Sequence, residues 1–87
     1  MVLAEADRDD LILCQVTSNP YSDGAAVALT SSDFLVGSLQ RVSYARPGKL
    51  FTANTSLIVG DAGMLKDAVR NRIVDAVIAI LRTAAQR

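Results

Sequence analysis

The spacing of apolar residues changes once along this chain, near Leu65, and that change constrains the fold more than any other feature. Downstream of it Val69, Ile73, Ala76, Val77, Ile80, Leu81 and Ala84 recur at steps of three and four, which is one stripe of a helix. Arg72, Asp75, Ala79 and Arg82 fall on the opposite side, with Val74 and Ile78 at the stripe's margin or beyond it. Upstream the chain is cut into short runs rich in branched and apolar residues, separated by Gly, Pro, Asn and Asp. These runs are Met1–Ala4, Leu11–Thr17, Ala25–Thr30, Leu39–Arg46, Leu50–Thr52 and Thr55–Val59. The polar stretch Ser31–Gly37 reads as a turn, Pro47-Gly48 as the end of the strand before it, and Gly60–Gly63 as another turn. Four to six strands followed by one helix predict a small, mostly antiparallel, barrel-like α+β domain, a single unit spanning 1–87.

Composition narrows the chemistry. The chain has 87 residues, with 9 Lys plus Arg against 9 Asp plus Glu, so it is not an arm held to nucleic acid by bulk charge. It has no His, which excludes a Ser-His-Asp site, a Cys-His site and His metal ligands. The lone Cys14 excludes an internal disulfide and a cysteine zinc site, and one apolar-flanked thiol fits a reducing, cytoplasmic setting. No metal and no cofactor are expected. The most apolar stretch, Ile73–Leu81, contains Asp75 and falls well short of the ~20 residues of a membrane span. No targeting segment is read in Met1–Arg8, which carries Glu5, Asp7 and Arg8. A core this small is marginal alone, and the wide apolar arc of the helix predicts a homodimer, with Ile73 and Val77 in the core.

Two clusters carry whatever chemistry the chain has. Alternation along Leu11–Thr17 puts Ile12, Cys14 and Val16 on an apolar face and Leu13, Gln15 and Thr17 on one that turns polar toward Ser18 and Asn19. Those hydroxyls and amides either cap a turn or present donors at a rim. In the second cluster Val42, Tyr44 and Arg46 share a face, and Pro47-Gly48-Lys49 follows. A guanidinium and an ammonium beside an aromatic suit a phosphate and a stacked base; the alternative is a hairpin end with solvated cations.

Together these segments resemble the MazF/PemK family of toxin ribonucleases from bacterial toxin–antitoxin pairs, on the PemK-like side. The resembling pieces, in family order, are Gln15-Val16-Thr17-Ser18, Asp33–Leu39, Ser43-Tyr44-Ala45-Arg46 with Lys49-Leu50-Phe51-Thr52, and the close from Ile58 to Leu65 before a helix. The resemblance implies an SH3-like barrel with a packed helix, a homodimer, metal-independent cleavage of single-stranded RNA to a cyclic phosphate and a 5′-hydroxyl, and restraint by an antitoxin protein. It implies catalytic roles for Thr17, Ser18 and Arg46, and RNA contacts from Gln15, Asn19, Tyr44 and Lys49. Arg46 would stabilise the phosphoryl oxygens, and Thr17 and Ser18 would donate to them. Two departures stand out. The chain is expected to lack the family's first strand with its arginine, and Gly48 stands where some relatives place an aspartate base. A reading of another class follows: a barrel remnant without catalysis that dimerises and binds antitoxin or RNA.

Overall fold

The computed structural model describes residues 1–20, 22–37, 42–57 and 63–83. Its strands are β1 (Val2–Glu5), β2 (Asp10–Thr17), β3 (Val27–Leu29), β4 (Phe34–Gly37), β5 (Ser43–Asn54) and β6 (Gly63–Leu65), and one helix, α1 (Asp67–Arg82), closes the chain. The fold is α+β: a curled antiparallel sheet in the order β1-β2-β5-β3 forms a half-barrel, a β4-β6 ribbon stands beside it, and α1 packs on the sheet.

β5 is the spine of the sheet. It pairs with β2 through Tyr44–Arg46 and Leu50–Asn54, while β3 lies along its first residues through Val27↔Ala45, Ala28↔Tyr44 and Leu29↔Ser43. The ladder with β2 jumps from Cys14↔Leu50 to Gln15↔Arg46, leaving Pro47, Gly48 and Lys49 as an unpaired excursion of β5. Here the structure corrects the sequence reading: Pro47-Gly48 does not end the strand. Proline has no N–H to give the ladder, so it is accommodated where pairing is interrupted, and the strand resumes after it. Pro47 is fully buried in that position, and the Pro-Gly step bends the strand instead of stopping it.

Other boundaries also shift. Ser31–Asp33 is a short 3-10 turn, held by Asp33 Oδ2 accepting from the Thr30 backbone N–H at 2.8 Å, and Phe34–Gly37 is a strand, not a turn. Its pairing with β6, Phe34↔Leu65 and Gly37↔Gly63, is what orders it; nothing local to the sequence announces that partner. Gly37 takes φ 78, which glycine adopts without a Cβ penalty. Thr55–Leu57 is a 3-10 turn where a strand was read. The expectations on Leu39–Arg41, Ile58–Ala62 and Ala84 lie outside the described residues.

The core gathers Leu3, Cys14, Leu29, Ala45, Val69 and Ile73, with Val16, Val27, Leu65, Val74 and Val77 packed against it. The apolar face read for β2 is therefore core at Cys14 and Val16. Ile73 is completely buried, and the stripe points Val69, Ile73 and Val77 at the sheet. The stripe's last turn does not follow: Ile80 is 38% exposed and Leu81 75%. Asp67 in the first turn and Arg82 in the last suit the helix dipole. Arg70 ties the helix to β1 by donating from Nη1 to the Leu3 carbonyl at 3.3 Å. No described helix is long and apolar enough to cross a membrane.

Candidate functional site

The two sequence clusters meet on one face of the half-barrel. Opposed residues of an antiparallel pair point the same way, as do alternate residues of a strand. Gln15 opposes Arg46 and Thr17 opposes Tyr44, so all four side chains rise from the outer face, while Val16 and Ala45 between them face the core. Thr17 and Arg46 are diagonal neighbours, a relation that puts Cα atoms about 7–8 Å apart. Thr17 is the last residue of β2, whereas Arg46 is not a strand end, because β5 continues past it.

Within that face the arginine is firmly oriented. Nε of Arg46 donates to Oδ2 of Asp23 at 3.0 Å, and Nη1 donates to Oε1 of Gln15 at 3.2 Å. The ion pair is not sealed from solvent; the two side chains retain 16% and 18% of their exposure. From behind, the strand is pinned at the same residue, where the buried Cys14 thiol donates to the Arg46 carbonyl at 3.1 Å. Burial raises the thiol's pKa, which keeps Cys14 a small hydrophobe and not a nucleophile.

Asp23 was missed in the sequence reading. It stands in the break between the Leu11–Thr17 and Ala25–Thr30 runs, and only its place between β2 and β3 brings it to Arg46. The loop is built to hold it. The Asp23 backbone N–H donates to the Pro20 carbonyl at 2.9 Å, Ser22 adopts φ 63, and Oδ1 of Asp23 accepts from the Ala25 N–H at 3.0 Å. Each carboxylate oxygen thus has its own donor. The Arg46 hydrogen bond, then the Ala25 N–H, hold the Asp23 pKa below the ordinary aspartate value, and the charge of Lys49 adds to the effect. The excursion Pro47-Gly48-Lys49 therefore brings the exposed Lys49 within electrostatic reach of the same carboxylate.

The other residues named from the sequence are placed less tightly. Thr17 Oγ1 and the Asn19 backbone close a local turn, with the Asn19 N–H donating to the hydroxyl at 3.1 Å. That is the turn-capping alternative, and it occupies the hydroxyl locally. Ser18 and Asn19 are exposed just past the end of β2, and Tyr44 is half-buried beside Arg46. Among the described residues no three metal-ligating side chains gather. A side chain added at Gly48 would meet Ile80 Cδ1 at 3.8 Å, an ordinary contact against α1.

What the arrangement offers is an oriented guanidinium flanked by an amide, a hydroxyl, an ammonium and an aromatic, with one carboxylate as its counter-charge. Such a group can grip an oxyanion if the carboxylate yields. The class defined by fold and site is a small α+β half-barrel with a charged, partly open sheet face. No protein-family model matches the chain, and a search of curated proteins finds no match either.

Proposed function

We propose that the chain is the toxin component of a toxin–antitoxin pair, a metal-independent endoribonuclease that takes single-stranded RNA on the Arg46 face in the cytoplasm. The observation that supports this most is the β2–β5 register, which puts Gln15, Thr17, Tyr44 and Arg46 on one face. In such a reaction the ribose 2′-hydroxyl attacks phosphorus, the 5′-oxygen leaves, and a cyclic phosphate remains. Arg46 stabilises the charge that builds on the phosphoryl oxygens, Thr17 and Ser18 donate to them, and Tyr44 stacks on a splayed base with Gln15, Asn19 and Lys49 along the strand. The proton acceptor is the weak part. Gly48 offers none, and a carboxylate held acidic by an arginine is a poor base, so turnover is slow.

A catalytically inactive reading is favoured by one observation: the Asp23 carboxylate already sits on Arg46. On that reading the half-barrel binds RNA or an antitoxin segment and does not cut. In either case we propose a homodimer, for which the exposed Ile78, Leu57 and Met64 are apolar surface to cover. Incubating the protein with short single-stranded RNA in excess chelator separates the readings. A cyclic-phosphate end that disappears with Arg46→Ala supports the nuclease; RNA bound but intact supports the inactive module.

A further inference from the structure

Arg46 and Lys49 both act on one carboxylate. Asp23 accepts from Arg46 Nε at 3.0 Å, and Lys49 adds its charge from the β5 excursion. The carboxylate is not there by accident of a mobile side chain, since its second oxygen is tied to the Ala25 N–H at 3.0 Å and its backbone to Pro20 at 2.9 Å. The loop also accepts a costly backbone at Ser22, a non-glycine residue at φ 63, to deliver it. The pair nevertheless keeps 16% and 18% exposure, so an incoming anion can reach it.

We propose that Asp23 is a built-in competitor for the Arg46 site, a self-inhibiting carboxylate that a phosphodiester must displace before the guanidinium can hold it. The inference rests on the RNA reading given above. A phosphodiester and a carboxylate seek the same donors of arginine and carry the same unit charge, so the two exclude each other at Nε. Asp23 also cancels one of the two positive charges of Arg46 and Lys49. That lowers the site's pull on any polyanion and leaves Gln15, which accepts from Nη1 and has no charge, as the contact that orients the empty site. Asp23 is thus a residue that sets the affinity of the site without contacting RNA.

The test is binding of a labelled uridine oligonucleotide, followed by anisotropy in chelator at two salt concentrations. Asp23→Asn keeps the shape and one acceptor, which serves the Ala25 N–H, and replaces the oxygen facing Arg46 by an uncharged NH2 group. It is expected to tighten binding about fivefold, what one partly exposed ion pair is worth, and to steepen the salt dependence. Asp23→Glu keeps the charge and is expected to bind close to wild type. Asp23→Ser keeps an acceptor for the turn and is expected to behave as Asn does, and it decides the matter should Asp23→Asn fail to fold. Binding that is unchanged or weaker in the folded neutral variants overturns the proposal, as does loss of the fold in both, which would make Asp23 a strut. The gain must vanish in Arg46→Ala/Asp23→Asn. If Arg46→Ala alone leaves RNA binding untouched, it is the RNA reading that has failed.

Discussion

Truncating Ile73 to alanine tests the packing on which the site depends. Ile73 is fully buried between α1 and the sheet, among Leu3, Cys14, Leu29 and Ala45. Isoleucine-to-alanine at such a position costs about 2–5 kcal/mol, the lost transfer energy plus the cavity left behind. A chain of 87 residues has a total stability of roughly 4–13 kcal/mol, so the loss is a large share of it. At about 4–8 °C per kcal/mol, a 3 kcal/mol loss lowers Tm by about 12–24 °C. Leu81→Ala is the control: the same helix, about two turns further on, 75% exposed, and expected to change stability by no more than about 0.5 kcal/mol. Ile73→Val, at about 0.5–1.5 kcal/mol, covers the case in which the alanine variant does not fold. Urea titrations followed by far-ultraviolet circular dichroism give the midpoints. Equal midpoints for Ile73→Ala and Leu81→Ala would refute the placement of α1.

Three further outcomes follow from local geometry. Ser22 sits at φ 63, so Ser22→Gly is expected to hold or raise Tm and Ser22→Val to lower it by the equivalent of about 1 kcal/mol or more; equal effects would remove the strain argument. Gly48 has a backbone open to other residues and room for a methyl group 3.8 Å from Ile80 Cδ1, so Gly48→Ala is expected to stabilise by about 0.4–1 kcal/mol in thermal melts, and a loss of stability contradicts it. Asp23 has its pKa lowered by Arg46, so its contribution is complete above the ordinary value near 4 and fades as pH falls below it. Urea midpoints measured between about pH 5 and pH 2 should therefore drop more steeply in wild type than in Asp23→Asn, and parallel curves would deny the pairing.

The helix and the strongest strand were legible because their patterns are local. Val69, Ile73 and Val77 announce a buried stripe by spacing alone, and Cys14 and Val16 announce an apolar strand face. The stripe overran at Ile80 and Leu81 because spacing gives direction but not how much of the stripe is covered. Pro47 was misread for a related reason. Proline forbids a ladder bond but does not forbid a strand from resuming, and only the register with β2 shows the three-residue excursion. Phe34–Gly37 became a strand through β6, a partner nearly thirty residues away. The site was half legible. Alternation placed Gln15 with Thr17 and Tyr44 with Arg46 on common faces, and the pairing of the two strands joined them. Asp23 was invisible because an aspartate in a Pro-Tyr-Ser-Asp-Gly loop is ordinary turn chemistry, and its bond to Arg46 spans 23 residues.

The most direct measurement is the salt dependence of single-stranded RNA binding for wild type and Arg46→Ala, taken in chelator with both proteins shown to be folded. If Arg46 holds a phosphate, the variant binds more weakly and its plot of log affinity against log salt is flatter by about 0.7, the contribution of one contact to a single strand. Tyr44→Phe, which keeps the ring, should leave that slope unchanged. An Arg46→Ala protein with wild-type affinity and wild-type slope would contradict the account, because the oriented guanidinium would then serve the fold and not RNA.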